Sequence, residues 1–251
     1  MLYAGLVISV CMQDWLAGLG ERRPESYLVA HDLRSGRVRW KTPRTTKADA
    51  EECDSYTTPL LLKTNAGPQL VVMGGNQLDA YNPADGSQLW FLPGLIGGRT
   101  VTGPTAGRGL VYATIGMRGD TLAVRPGSGE LNRRAIVWKN DQGTPDSCSP
   151  VLLDRWLYTV SDDGIARCFD AESGALQWKE RLPGGYKASP LAADGRIYFL
   201  NTEGLCTVVS ATSRFDKLTE NAIDGETLAS PAVSGGRIFL RASHSLYCIG
   251  P

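Results

Sequence analysis

The 251-residue sequence has no surplus of either charge, with 26 Lys and Arg against 26 Asp and Glu. Nucleic-acid binding calls for clustered excess Lys and Arg, so the balance argues against that partner. No apolar run approaches the ~20 residues that span a bilayer as a helix. The apolar start, Met1 to Val10, lacks the basic region and small-residue cleavage site of an export signal and reads as a strand. With two histidines, His31 and His244, a His-rich metal site is excluded, and no H-x-H, H-E-x-x-H or G-x-S-x-G occurs. No two of the six cysteines make C-x-x-C, which removes zinc-ribbon and thioredoxin-like readings. Cys206 and Cys248 fall in strand-like runs, where a buried free thiol is expected. Helical periodicity is missing too, apart from a short stretch at Met12 to Leu19.

What is plentiful is punctuation: 29 Gly and 14 Pro divide the chain into many short elements. A hydroxyl or small residue before proline recurs as Thr58-Pro59, Gly103-Pro104, Ser149-Pro150, Ser189-Pro190 and Ser230-Pro231, the prolines stepping by 45, 46, 40 and 41. Out of phase with it stand Trp40, Trp90, Trp138 and Trp178. Related turns precede three of them, at Ala30 to Gly36, Ala80 to Gly86 and Cys168 to Gly174, each with Asp or Asn four residues before Gly. The short side chain can bond nearby backbone there, which is tight-turn chemistry. Each period reads as four short strands, as in Ser189–Ala193, Arg196–Leu200, Leu205–Ser210 and Asp216–Asn221. Four strands per 40–50 residues is the arithmetic of an all-β propeller of four-stranded antiparallel blades, the architecture that WD40-type chains also adopt.

The spacing predicts a single propeller domain over 1–251 with about six blades or partial blades, at 3–43, 54–94, 99–141, 146–184, 186–224 and 227–251. The first is expected to begin at its second strand, and the last to lack its tryptophan strand. These trimmed ends predict a piece of a longer propeller, its open edges closed by ring contraction or by a second copy in a homodimer.

The Ser-Pro strand, the strand Asp194-Gly-Arg-Ile-Tyr198 and the A-x-D-x-x-[ST]-G-x-x-x-W turn resemble repeats of pyrroloquinoline-quinone-like β-propellers. Ala30 to Trp40 and Cys168 to Trp178 match the turn; Ala80 to Trp90 departs at Asn82 and Asp85. The resemblance is greatest to the members without quinone, similar to the outer-membrane assembly lipoprotein. It implies about eight blades, hence two missing at the N-terminus, and relatives exported to the periplasm or cell envelope, although no signal is evident here. Quinone dehydrogenases of the superfamily use adjacent cysteines, a calcium and a catalytic Asp; no adjacent cysteines occur, so no quinone cofactor is expected and a dehydrogenase is the weakest reading. The tryptophans are expected to wedge between blades, and His31 to pack there beside them.

If the fold is a propeller, loops leading into the innermost strands and loops joining second to third strands converge on the channel mouth. Candidate ligand-binding residues there are Tyr56, Arg99, Arg118, Tyr186 and Lys187, with Trp15 on the long 12–26 loop, which is expected to cover the mouth or meet another subunit. The leading expectation is a non-redox scaffold that binds a protein, peptide or small molecule. The enzymatic alternative is a hydrolase of activated phosphate, sulfate or carboxyl esters. There carboxylates such as Asp54 and Asp146 hold a divalent cation that activates water, or alternatively Cys148 or Cys53 supplies a nucleophile near a base, for which His244 is the better of the two histidines.

Overall fold

The structure, a computed structural model, describes residues 1–12, 25–116 and 119–250. The chain forms two compact units, Met1–Lys139 and Asn140–Pro251. In the first, β1 (Leu2–Tyr3), β2 (Leu6–Cys11), β3 (Tyr27–Asp32) and β4 (Val38–Pro43) make one antiparallel sheet in chain order. β5 (Leu60–Thr64), β6 (Gly67–Gly74), β7 (Gln77–Tyr81) and β8 (Gln88–Pro93) make the next. β9 (Thr105–Gly107), β10 (Leu110–Thr114), β11 (Thr121–Val124), the two-residue β12 (Gly129–Glu130) and β13 (Ile136–Asn140) follow. β12 leaves its own sheet and pairs parallel with β8, giving the second sheet a fifth strand.

The second unit repeats the plan. β14 (Val151–Leu153), β15 (Trp156–Val160), β16 (Ile165–Asp170) and β17 (Leu176–Arg181) form the fourth sheet. β18 (Leu191–Ala193), β19 (Arg196–Leu200), β20 (Leu205–Ser210) and β21 (Lys217–Ala222) form the fifth. β22 (Ala232–Ser234), β23 (Arg237–Arg241) and β24 (Leu246–Ile249) form a three-stranded sixth, without a tryptophan strand as expected.

The first repeat needs a correction, because its sheet has four strands. Ala4 and Gly5 both take positive φ, 44° and 79°, and turn the chain in two residues so that Tyr3 faces Leu6. A two-residue turn of this hand matches strand twist, and it splits the apolar start into β1 and β2.

Two middle strands are buried at every position: β10, a largely apolar run, and β7, where polar residues alternate with apolar ones. Apolar clusters lie between neighbouring sheets, one joining Ile8, Leu28 and Trp40 to Leu70, Val72 and Tyr81. Another joins Tyr158, Cys168 and Trp178 to Ile197, Phe199 and Val209. The tryptophans are the wedges the repeat predicts. Trp40 Nε1 donates to the carbonyl of Pro83 in the next sheet at 3.2 Å, and Trp178 Nε1 to that of Thr212 at 3.3 Å. Trp178 also lies edge-on to Phe215, 5.3 Å between centroids.

The turns before these tryptophans close as their residues dictate. Asp32 Oδ1 accepts the Ser35 N–H at 2.8 Å, and Asp170 Oδ1 that of Ser173 at 2.9 Å. The sequence did not reveal the irregularity in register that accompanies each turn, between Ala30 and His31, Ala80 and Tyr81, Cys168 and Phe169, and Val208 and Val209. Nor did it show why Ser precedes Pro. The Ser149 N–H donates to Ser189 Oγ, and the Ser189 N–H to Ser230 Oγ, each at 2.9 Å, so the hydroxyl of one sheet fastens the backbone of the preceding one.

Candidate functional site

In unit one, the loops leading into β5 and β9 run side by side. Ser55 bridges Thr100, the Tyr56 N–H donates to Thr100 O at 2.9 Å, and the Thr100 N–H to Asp54 O at 3.1 Å. That pairing brings three of the expected site residues together. The Tyr56 hydroxyl donates to Asp54 Oδ2 at 3.2 Å while its side chain stays exposed, and Arg99 Nη1 reaches Glu51 Oε1 at 3.2 Å. Trp15 and Arg118 lie outside the described residues, as does most of the loop at 12–26.

In unit two, backbone bonds stitch lead-in loops to turns. The Tyr186 N–H donates to Asp162 O, Thr202 to Gly185 O, Thr227 to Thr202 O and Ser243 to Glu226 O, at 2.8 to 3.0 Å. On this frame Asp162, in the β15–β16 turn, gathers Asp146, Ser147 and Lys187. Its Oδ1 accepts the N–H groups of Asp146 and Ser147 at 3.1 and 3.0 Å. Its Oδ2 accepts Ser147 Oγ at 2.7 Å and Lys187 Nζ at 2.6 Å. Burial pushes the Asp162 carboxyl up, but the bonds from Lys187 and Ser147 outweigh it and hold the group below its usual value. The same bond raises Lys187.

Cys148 stands beside this cluster but faces inward. It is fully buried, its thiol contacts Ala188 O at 3.3 Å, and burial followed by the Asp162 charge pushes its pKa up to about 12. A thiol protonated at neutral pH is a poor nucleophile. Cys53 is buried as well, and the six cysteines are thiols, not disulfides. Tyr186 is wholly buried, and burial raises its pKa. It packs in the core between the fourth and fifth sheets. His244 is exposed in the β23–β24 turn. Among the described residues no group of three or more His, Cys, Asp or Glu could hold a metal ion.

A second polar centre, missing from the sequence-based candidates, lies in unit one. Asp79, fully buried on β7, accepts from Arg44 Nε at 2.9 Å and from Arg44 Nη2 through its Oδ2. Its Oδ1 accepts from Gln77 at 2.6 Å, Gln88 at 2.8 Å and Tyr81 at 3.2 Å. Arg44 Nη2 also donates to Gly74 O and Gln77 O, so the carboxylate and this nitrogen are fully used. The signal was legible: Gln77, Asp79 and Tyr81 alternate with Leu78 and Ala80, placing three polar groups on one face of a strand.

Sheets of four antiparallel strands in chain order, repeated with a tryptophan wedge and a hydroxyl fastener, are blades, and the chain is of the β-propeller class. Residues 121–219 match the family model described as outer membrane protein assembly factor BamB. The crystal structure of BamB from Moraxella catarrhalis is similar in fold, with 14% identity and a TM-score of 0.50 over 89% of this chain and 80% of that one. The computationally designed Ika8 protein is similar too, at 12% identity and a TM-score of 0.67 over 100% of this chain and 70% of that one. No curated protein matches the chain.

Proposed function

We propose that the protein is a non-redox propeller scaffold that binds a peptide or protein partner through the polar loops leading into and between its strands. The observation that carries this reading is the fate of the polar side chains gathered in unit two. Ser147, Asp162 and Lys187 are bonded to one another, and tie the loop into the fourth sheet to the loop into the fifth. The neighbouring thiol is buried and protonated. Such a rim is preorganised for recognition, since little side-chain freedom remains to be lost on binding. The matched family model, named for an assembly factor, supports the same reading.

The test is to select peptides from a random displayed library, measure binding of a selected peptide, and assay p-nitrophenyl acetate and phosphate in the same preparation. Saturable binding that weakens at least tenfold in Lys187→Ala, without ester turnover, is expected. Turnover that falls in Asp54→Asn or Asp146→Asn, with no peptide bound, would overturn the reading.

A further inference from the structure

A cavity of about 350 Å³ opens in unit one beside the buried ion pair, lined in part by Arg44, Thr46, Cys53, Gly75, Glu25 and Ser26. Its floor is unusual because the Arg44 side chain is only 2% exposed, yet one of its nitrogens is poorly used. Nε and Nη2 are spent on Asp79, Gly74 O and Gln77 O. Nη1 meets the thioether of Met12 at 3.4 Å, a weak acceptor. Beside it stands Thr46, whose Oγ1 accepts the Ala48 N–H at 3.3 Å and so retains its own proton for donation. A Cβ at Gly75 would come 3.0 Å from Arg44 Nη1 and 3.1 Å from Thr46 Oγ1, so the two donors flank a position that must stay bare. Two donors converging beside a glycine fit a carbonyl oxygen.

Charge decides which carbonyl. Asp79 neutralises Arg44, Glu25 lines the cavity, and the stretch 47–54, which contributes Cys53 to its wall, carries Asp49, Glu52, Asp54 and the Arg99-paired Glu51 against Lys47. A carboxylate ligand meets net repulsion there, whereas a neutral carbonyl with a cation beside it does not. We propose that this cavity binds an extended peptide segment bearing Lys or Arg. A backbone carbonyl of the peptide accepts from Arg44 Nη1 and Thr46 Oγ1, and its basic side chain faces the acidic stretch. The assignment rests on the binding-module reading and gives it a surface and a partner chemistry.

The experiment titrates the full chain with the capped peptide Ala-Arg-Ala-Lys-Ala and its Ala-Glu-Ala-Glu-Ala counterpart at low salt, followed by calorimetry. We expect saturable binding of the basic peptide alone. It should weaken about tenfold in Thr46→Val, which keeps shape and removes the donor, and several-fold in Glu52→Gln, with a shallower salt dependence. Gly75→Ala, checked for folding by circular dichroism, abolishes it. Equal binding of both peptides, or affinity unchanged in Thr46→Val and Gly75→Ala, overturns the cavity assignment. If a library-selected peptide then still loses affinity in Lys187→Ala, the module survives and the cavity does not. If neither that peptide nor the basic one binds, both readings fall.

Discussion

The junction between the first and second sheets and the junction between the fourth and fifth use the same wedge but different fasteners. Trp40 and Trp178 each donate an indole N–H to a carbonyl of the following sheet. Around Trp40 the polar tie is Arg44 to Asp79, side chains 2% and 0% exposed. Around Trp178 it is Lys187 to Asp162, 50% and 26% exposed, backed by the Ser149-to-Ser189 bond. A buried charge pair must be complete, because a lone ion there has neither water nor partner. A pair at the rim can lose one member to solvent at small cost. The difference teaches where this chain tolerates change: at the rim of unit two, and not in the interior of unit one.

The largest effect should come from breaking the buried pair. Arg44→Met strands Asp79 and is expected to cost about 3–5 kcal/mol, read as a lower urea midpoint. Replacing both partners, as Arg44→Met with Asp79→Leu, should recover much of that loss; no recovery would mean that Gln77, Gln88 and Tyr81 carry the site instead. Next comes the wedge. Trp178→Ala should cost about 3–5 kcal/mol through the cavity it leaves against Tyr158 and Phe215. Trp40→Ala should cost a similar amount, and a large disparity would show that the wedges are not equivalent.

The smallest effect is expected at the rim, where Lys187→Met should cost under about 1 kcal/mol and vanish in molar salt. Its pH window follows from the directions of the two shifts. Asp162 is held below its ordinary 3.8, so its contribution is present above that pH and is lost as acid protonates it below. Lys187 is raised above 10.5, so its contribution is present below that pH and disappears as alkali deprotonates it above. The Lys187→Met difference should therefore be flat from pH 5 to 9, and a midpoint inside that range would show that another group titrates.

The repeating parts of the fold were legible because they are local. The tryptophan turn needs Asp32 or Asp170 and its Gly within a few residues, and the alternation of strands with turns fixes four strands per repeat. The hairpin at Ala4 and Gly5 escaped because alanine rarely takes positive φ, so an apolar run containing it reads as unbroken. Of the site, the convergence of Asp54, Tyr56 and Arg99, and of Asp146 with Lys187, followed from loop position in the repeat. The inward direction of Cys148 did not, because burial is set by the sheet packed against it. Arg44 escaped for the same reason: its partner Asp79 lies 35 residues away in the next sheet.

The two-residue strand β12 has a consequence for how the chain meets other chains. A strand at the margin of a sheet offers a row of N–H and C=O groups on which a foreign segment can add, in ligand capture or in aggregation. Along β8 that row is occupied, since Gly129 and Glu130 pair with Trp90 and Phe91, and the Leu131 N–H donates to Phe91 O at 2.7 Å. Strand addition along β8 must first displace a piece of the third sheet's connection, while among the described residues no strand pairs with the outer margins of β4, β17 and β21. Shortening the 125–135 connection would convert a sealed margin into a templating one.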